Sequence, residues 1–71
     1  MEVGARVQIR PSYELIDFKL MPLSFRKGKI TEIHIDASGE VLGAWVKFDG
    51  EPYLDELEWY IPINSLKYEQ D

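Results

Sequence analysis

Pro62 restricts the fold of this chain more than any other residue, because it directly follows the strand-like segment Trp59-Tyr60 and Ile61. Proline cannot donate a backbone hydrogen bond to a neighbouring strand, so a strand that reaches Ile61 must stop or lie at a sheet edge there. The pair Asn64-Ser65 is typical of a single tight turn, after which Leu66 points back inward. The C-terminal part therefore predicts a strand, one turn and a last short strand, with Ile61 and Leu66 in the core.

Alternation of apolar and polar residues predicts strands in the rest of the chain. Val7 and Ile9 alternate with charged or polar residues, the pattern of a strand that has one face in water. In the second segment the apolar residues stand at 30, 33 and 35, which breaks the alternation and predicts a bulge near Thr31-Glu32. The predicted strands cover residues 5–10, 26–36, 41–48, 58–61 and 66–68.

The third segment divides its side chains between two faces. Trp45 and Lys47 share one face, and an unpaired lysine is rarely buried. We therefore expect Trp45 outside the core or beneath the connecting segment before the second strand. The opposite, core-facing set is predicted to be Leu42, Ala44, Val46 and Phe48.

The connections between the predicted strands differ in character. Residues 11–25 form a long arm without strand alternation, rich in apolar side chains, and a short helical turn is predicted before Pro22. A connection of this length is usually functional or specially packed. Residues 37–40 indicate a hairpin turn, residues 53–58 an acidic loop with a one-turn helix at 55–57, and residues 69–71 a frayed end.

Length and charge bound the function. Seventy-one residues predict one domain, 1–71, and the lack of cysteine leaves packing as its source of stability. No stretch has the length and apolarity of a membrane span, which predicts a cytoplasmic protein without a membrane partner. The net charge of −5 combines +3 in residues 1–31 with −8 in residues 32–71, and an acidic balance disfavours nonspecific attraction to nucleic acid.

Two motifs resemble those of small β-barrels. The order and spacing of the strands and the motif Tyr60-Ile61-Pro62-x-Asn64 resemble the Src-homology-3 type over nearly the whole chain. The segment Lys27-Gly28-Lys29-Ile30-x-x-Ile33 resembles the KOW-type barrel. The resemblance implies an all-β fold: a five-stranded, strongly bent Src-homology-3-like barrel with a long arm between strands 1 and 2 and a single turn before strand 5.

The Src-homology-3 resemblance also implies a binding surface. In that family Tyr60, Pro62 and Tyr13 would lie along the groove for proline-rich peptides. Ser65 stands where the family has a second groove tyrosine, which favours a packing role for Tyr60 and Tyr13. We expect a noncatalytic protein-interaction or accessory module that binds another protein, or a second copy of itself, through Tyr13, Phe18, Met21, Trp45, Tyr60 and Pro62, although the apolar arm could instead only cap the core.

A nucleic-acid interface is the alternative function. The KOW resemblance would use a basic surface on the first two strands, whose outward faces are neighbours in such barrels. The candidate residues are Arg6, Arg10, Arg26, Lys27 and Lys29. The overall acidic charge and the lack of a stacking aromatic residue among them favour a solubilising role for these side chains.

Catalytic chemistry has few candidates in this sequence. His34 is the single histidine, and its place in the second strand predicts a side chain that faces water. The serines lie outside nucleophile motifs, and no phosphate loop, dinucleotide fingerprint or zinc spacing is present. The acidic run from Asp49 to Glu58 lacks the order of a calcium loop. We therefore predict no catalytic residue, no cofactor and no metal site.

Overall fold

The computed structural model describes residues 1–69 as a chain of short strands joined by turns and one helical arm. The segments with alternating apolar residues form the strands. Ser12 caps a helix of five residues: its side-chain oxygen accepts a hydrogen bond from the backbone N–H of Leu15. The elements are β1 (Arg6–Ile9), α1 (Tyr13–Asp17), the 3₁₀ turn η1 (Met21–Leu23), β2 (Lys27–Ile35), β3 (Val41–Phe48), β4 (Glu58–Pro62), the 3₁₀ turn η2 (Ile63–Ser65) and β5 (Leu66–Tyr68).

The five strands form one antiparallel sheet in the order β4-β3-β2-β1-β5. β4 and β5 are therefore its two edges, and the three residues of η2 join them. Pro62 ends β4, as predicted, at an edge strand where its missing N–H costs no pairing. The all-β class and the five strands are confirmed. Strand pairing within residues 1–69 does not join β4 to β5, so closure into a barrel stays a prediction.

A bulge in β2 corrects its alternation at the predicted place. The register with β3 shifts between Ile30 and Glu32, so Thr31 is the extra residue. Its hydroxyl donates to the backbone oxygen of Trp45 at 3.3 Å. As a result Ile30 and Ile33 both face the core, although they are three residues apart, and Glu32 faces outward.

The core lies on the inner face of the sheet and includes part of the arm. Leu15 of α1 and Leu23 of η1 are fully buried, so the arm folds onto the sheet. Ile61 and Leu66 are buried as predicted. The other buried apolar residues are Val7, Ile9, Leu20, Ile30, Ala44, Val46 and Phe48.

Two sequence predictions are wrong, the facing of Leu42 and the helix at 55–57, and the predicted frayed end lies partly outside residues 1–69. Leu42 is 43% exposed because a second register shift, which pairs His34 with Gly43 and Ile35 with Val41, removes it from the alternation. The segment at 55–57 is not a helix, since Leu54 and Asp55 have left-handed backbone conformations in a tight turn. The backbone N–H of Glu69 donates to the oxygen of Arg6 at 3.0 Å, and the other two residues of the predicted frayed end, 70 and 71, lie outside the described part.

None of the helices formed by residues 1–69 has the length and apolar character needed to cross a membrane.

Candidate functional site

The outer face of β2, β3 and β4 brings three side chains into one row. Glu32, Trp45 and Tyr60 are direct cross-strand neighbours. Residues paired directly across antiparallel strands project from the same face and lie within contact distance. The neighbouring row, Ile33 with Ala44 and Ile61, projects inward to the core. The alternation that buries this inner row therefore fixes the outer one.

Tyr60 is the centre of an aromatic cluster that we define as Phe18, His34, Trp45 and Tyr60. Its ring centroid lies 6.1 Å from that of Phe18, 5.6 Å from that of His34 and 5.8 Å from that of Trp45. The Trp45 and His34 contacts are edge-to-face, a geometry that aromatic pairs prefer. His34 Nδ1 and Tyr60 Oη are 2.9 Å apart and share a hydrogen bond. The exposed histidine, predicted only to face water, thus orients Tyr60.

Gly43 makes room for this arrangement. It faces outward between His34 and Pro62, its partners on the adjacent strands. A Cβ atom at this position would lie 2.6 Å from Tyr60 Oη and 2.8 Å from Tyr60 Cζ. The Tyr60 side chain therefore crosses over the glycine toward His34. A glycine within a strand often marks such a close approach, so Gly43 could have indicated this contact, although no prediction from the sequence used it.

Phe18 contacts Tyr60 because hydrogen bonds hold the arm against η2. The side-chain amide of Asn64 donates to Glu14 Oε1 at 2.8 Å, and Arg10 Nε donates to the backbone oxygen of Asn64 at 2.9 Å. The pKa of Glu14 is lowered by a hydrogen bond from its own backbone N–H and by the bond from Asn64. The last turn of α1 then places Phe18, whose N–H donates to the Glu14 oxygen, beside the ring of Tyr60.

A shallow depression opens beside the cluster. Its volume is about 350 Å³, and its lining residues are Glu32, Ile33, His34, Trp45 and Tyr60. Most of this lining is apolar or aromatic, and Glu32 supplies a carboxylate at its rim. Such a combination of aromatic walls and a few polar groups is typical of recognition sites.

The six predicted protein-contact residues fall into three groups. Phe18, Trp45 and Tyr60 come together in the aromatic cluster. Tyr13 is 86% exposed and lines a separate groove on the arm with Pro11, Ser12 and Ile16, and Met21 is also exposed. Pro62 is buried, so the prediction that it offers a contact surface disagrees with its position. The sequence did not indicate this burial because α1, which packs against β4, comes from a distant segment.

The predicted basic surface is largely engaged in local contacts. Arg6 pairs with Asp49, and its Nε lies 3.4 Å from Glu69, which also accepts Lys27 at 3.3 Å. Arg26 donates to the backbone oxygens of Asp49 and Glu51, and Arg10 donates to η2 as described. Lys29 stands opposite Lys47 on the outer face.

The charges around Arg6 influence each other. The hydrogen bond and charge of Arg6 hold the pKa of Asp49 below its usual value, and Asp49 in turn raises the pKa of Arg6. These carboxylates reduce the positive field that the basic residues would offer to a phosphate backbone.

Within residues 1–69 no group of three or more histidine, aspartate or glutamate side chains is arranged to hold a metal ion. Comparisons with protein-family models, with curated proteins and with solved structures found no match to this chain.

Proposed function

We propose that this chain is a noncatalytic protein-binding module and that the aromatic cluster with its depression is the contact surface. The observation that carries the proposal is the convergence of Phe18, Trp45 and Tyr60 from the arm, β3 and β4 on an outward face. Phe18 is 47% and Trp45 38% exposed. Aromatic side chains held rigidly at a surface are favoured anchors of protein interfaces, because they bury much area at small entropic cost.

The architecture that we propose for this module is a Src-homology-3-like barrel. Two features support it: the edge strands β4 and β5 are separated by only three residues of η2, and both contribute to the same core through Ile61 and Leu66. The bulge at Thr31 supports it as well, since bulges increase the bend of a sheet.

A random peptide library displayed on phage, followed by NMR titration of the selected peptides, tests the function. We expect selected peptides to shift the signals of Phe18, Trp45 and Tyr60 and to lose binding in Trp45→Ala. The matched control is Tyr68→Ala on β5, because Tyr68 is as exposed as Phe18 but lies outside the cluster. Failure to select any peptide, or equal loss in both variants, would contradict the proposed surface.

The alternative nucleic-acid function is tested with the same samples. A basic interface requires affinity for an oligonucleotide that falls steeply with salt. The ion pairs of Arg6 and Lys27 argue against it. Salt-dependent binding of a single-stranded RNA oligomer, mapped to these two residues and to Lys29, would replace the proposed function by the alternative one.

A further inference from the structure

Strand β4 has one side that faces no other strand of its sheet. It is an edge strand and pairs with β3 alone. In an antiparallel ladder, opposite residues alternate between pairs that exchange two backbone hydrogen bonds and pairs that exchange none. Lys47 is opposite Glu58, and beside them the N–H of Phe48 donates to the oxygen of Leu57 at 2.8 Å, which sets this alternation. The backbone groups of Glu58 and Tyr60 therefore point away from β3.

These outward backbone groups have no partner in the part of the chain that the structure describes. Across residues 1–69, no backbone hydrogen bond outside the strand ladders involves Glu58 or Tyr60. Pro62 is the next residue whose backbone points the same way, but it has no N–H and is buried where β4 meets α1. The edge therefore offers a donor and an acceptor at each of two residues, Glu58 and Tyr60.

This short edge is complementary to itself. An unpaired edge is a template for another strand, and the same surface can serve both copies of a two-fold dimer. When Glu58 lies opposite Tyr60 of a second, antiparallel copy, both donors and both acceptors of each copy are paired. With Tyr60 instead opposite Tyr60 of the second copy, the oxygen of Glu58 would face Pro62, which has no donor. The first register is therefore favoured.

Trp59 lies at the two-fold axis of this register and is already held in place. Its indole N–H donates to the oxygen of Glu56 at 3.1 Å, and its ring centroid lies 5.6 Å from that of Tyr53. It is partly buried against the core. At the axis it would face Trp59 of the second copy in a pair without exchanged hydrogen bonds, where side chains are closest. Aromatic cross-strand pairs stabilise a sheet, so this contact adds to the ladder.

The charges near the edge permit the pairing. Glu58 stands opposite Lys47 within its own sheet and would stand opposite Tyr60 of the second copy, so no carboxylate directly faces another. Lys29 is opposite Lys47 and Arg6 is opposite Lys29, so the row of cations runs away from the edge and does not meet the second copy. The net charge of −5 on each copy opposes association at long range.

We propose that two copies of this chain pair through their β4 edges, antiparallel and two-fold symmetric, with Glu58 opposite Tyr60 and Trp59 at the axis. Each edge is used once, so the assembly closes at two copies. The edge of β5 offers less, because the N–H of Leu66 already donates to the oxygen of Ile63. This inference goes beyond the proposed function, since it uses backbone groups of β4 instead of exposed aromatic rings.

The direct test is self-association of the purified chain. Sedimentation velocity at concentrations up to about 1 mM, which a small and therefore weak interface requires, should show a monomer–dimer equilibrium. Amide hydrogen exchange followed by NMR should show added protection at Glu58 and Tyr60 in the concentrated sample. Because like-charged copies repel, added salt should tighten the dimer. A chain that stays monomeric, or a dimer that weakens with salt or instead protects Tyr68, would overturn the proposal.

Proline variants at the two sheet edges provide a matched pair. Glu58→Pro removes an N–H that points away from β3, so it should weaken the dimer about tenfold or more, since each copy loses one hydrogen bond. Tyr68→Pro removes an N–H from the β5 edge and should leave dimerisation unchanged. Glu58→Gln removes the charge, keeps the N–H and should not weaken the dimer. Thermal midpoints confirm folding, and equal association of the two proline variants would contradict the β4 interface.

Other outcomes assign the edge differently. If Glu58→Pro does not fold, the concentration dependence of exchange at Glu58 and Tyr60 in the unchanged chain decides the question. A library peptide that protects these two amides while the chain alone stays monomeric would give the edge to a foreign strand and overturn the second-copy inference. Dimerisation of a chain for which the library yields no binder would retain this inference and overturn the proposed function.

Discussion

The hydroxyl oxygens of Ser12 and Ser65 lie 2.6 Å apart and join the start of the arm to η2. Ser65 is fully buried, and Ser12 also accepts the N–H of Leu15 as the cap of α1. One hydrogen bond thus links the N-cap of the only α-helix in residues 1–69 to the turn between the two edge strands. The bond therefore contributes to the position of the arm that carries Phe18.

Removal of either hydroxyl should destabilise the fold. We expect Ser65→Ala to lower the free energy of unfolding by about 1 kcal/mol through the lost hydrogen bond, and Ser12→Ala by about 1–2 kcal/mol because the helix cap is lost too. Urea unfolding of both single variants and the double variant should show a coupling of about 0.5–1 kcal/mol. Ser12→Ala combined with Ser24→Ala is the control, and the changes of these two variants in the free energy of unfolding should add. If the changes of Ser12→Ala and Ser65→Ala also add, the hydrogen bond between the two hydroxyls is contradicted.

Gly43→Ala should distort the aromatic cluster. The new Cβ would lie 2.5 Å from the backbone oxygen of Ile61 and 2.6 Å from Tyr60 Oη, so the strand and the ring must both move. Such overpacking costs about 1–3 kcal/mol, measurable by urea unfolding. The ring signals of His34 should also shift as its bond to Tyr60 breaks. Leu42→Ala, at the exposed neighbouring position, should change neither the free energy of unfolding nor the ring signals of His34. If the two variants change both quantities equally, the steric explanation is ruled out.

Leu15→Ala tests whether the arm is part of the core. Leu15 is fully buried, so its truncation should lower the free energy of unfolding by about 2–5 kcal/mol. Ile16→Ala, at a position that is 53% exposed on the same helix, should change it by less than about 0.5 kcal/mol. If Leu15→Ala abolishes folding, Leu15→Met, which conserves volume, should restore it. Similar stabilities of the two alanine variants would mean that the arm does not pack as described.

The turn at 54–55 can be improved. Leu54 has φ of 49° and Asp55 of 66°, conformations that suit an Asn-Gly pair much better. Leu54→Asn with Asp55→Gly should raise the free energy of unfolding by about 0.5–1 kcal/mol, since relief of left-handed strain exceeds the added entropy of the unfolded glycine. Asp55→Ala is the control and should not stabilise. A loss of stability in the Asn-Gly variant would contradict this turn geometry.

The Arg6 and Asp49 pair predicts a loss of stability in acid. Because the pKa of Asp49 is lower in the folded chain, the pair's contribution is complete above the unfolded-state pKa of about 3.9 and is lost as the pH falls through the folded value. Arg6→Gln should raise the pKa of Asp49 toward that of a free aspartate and reduce the stability difference between pH 6 and pH 3.

Carbon NMR of the carboxyl groups checks the pKa change directly. Asp36 is the internal reference, because its pKa is lowered by the hydroxyl of Ser38 and the backbone N–H of Glu40, independently of Arg6. A shift of Asp36 in Arg6→Gln, or an unchanged Asp49, would contradict the local origin of the effect.

The sequence predicted those features that depend on local alternation. Val7 and Ile9 are buried, Thr31 is bulged, and β4 ends at Pro62, all as expected from residues close in the chain. The outward position of Trp45 followed in the same way. The strands and most of their facing could therefore be predicted, since a period of two is visible without any knowledge of partners. Leu42 is the exception, because the register shift that exposes it depends on pairing with β2.

Features that depend on distant partners were not predictable. Arg6 and Asp49 are 43 residues apart, and the bond of His34 to Tyr60 spans 26 residues. Pro62 is buried in a region where β4 meets α1. The turn at Leu54 runs against its own residue preferences, so propensity alone indicated a helix.

The pairing of β1 with β5 sets an order for folding during synthesis. Val7 of β1 pairs with Tyr68 of β5, so β1 is joined on one side by a strand that is synthesised after the other four of this sheet. On a ribosome, β2, β3 and β4 can pair in succession, while β1 keeps one open edge until residue 68 has left the exit tunnel. Contacts between such distant segments slow folding, because the loop between them must close first. The sheet can therefore be completed only after all residues up to Tyr68 have been synthesised.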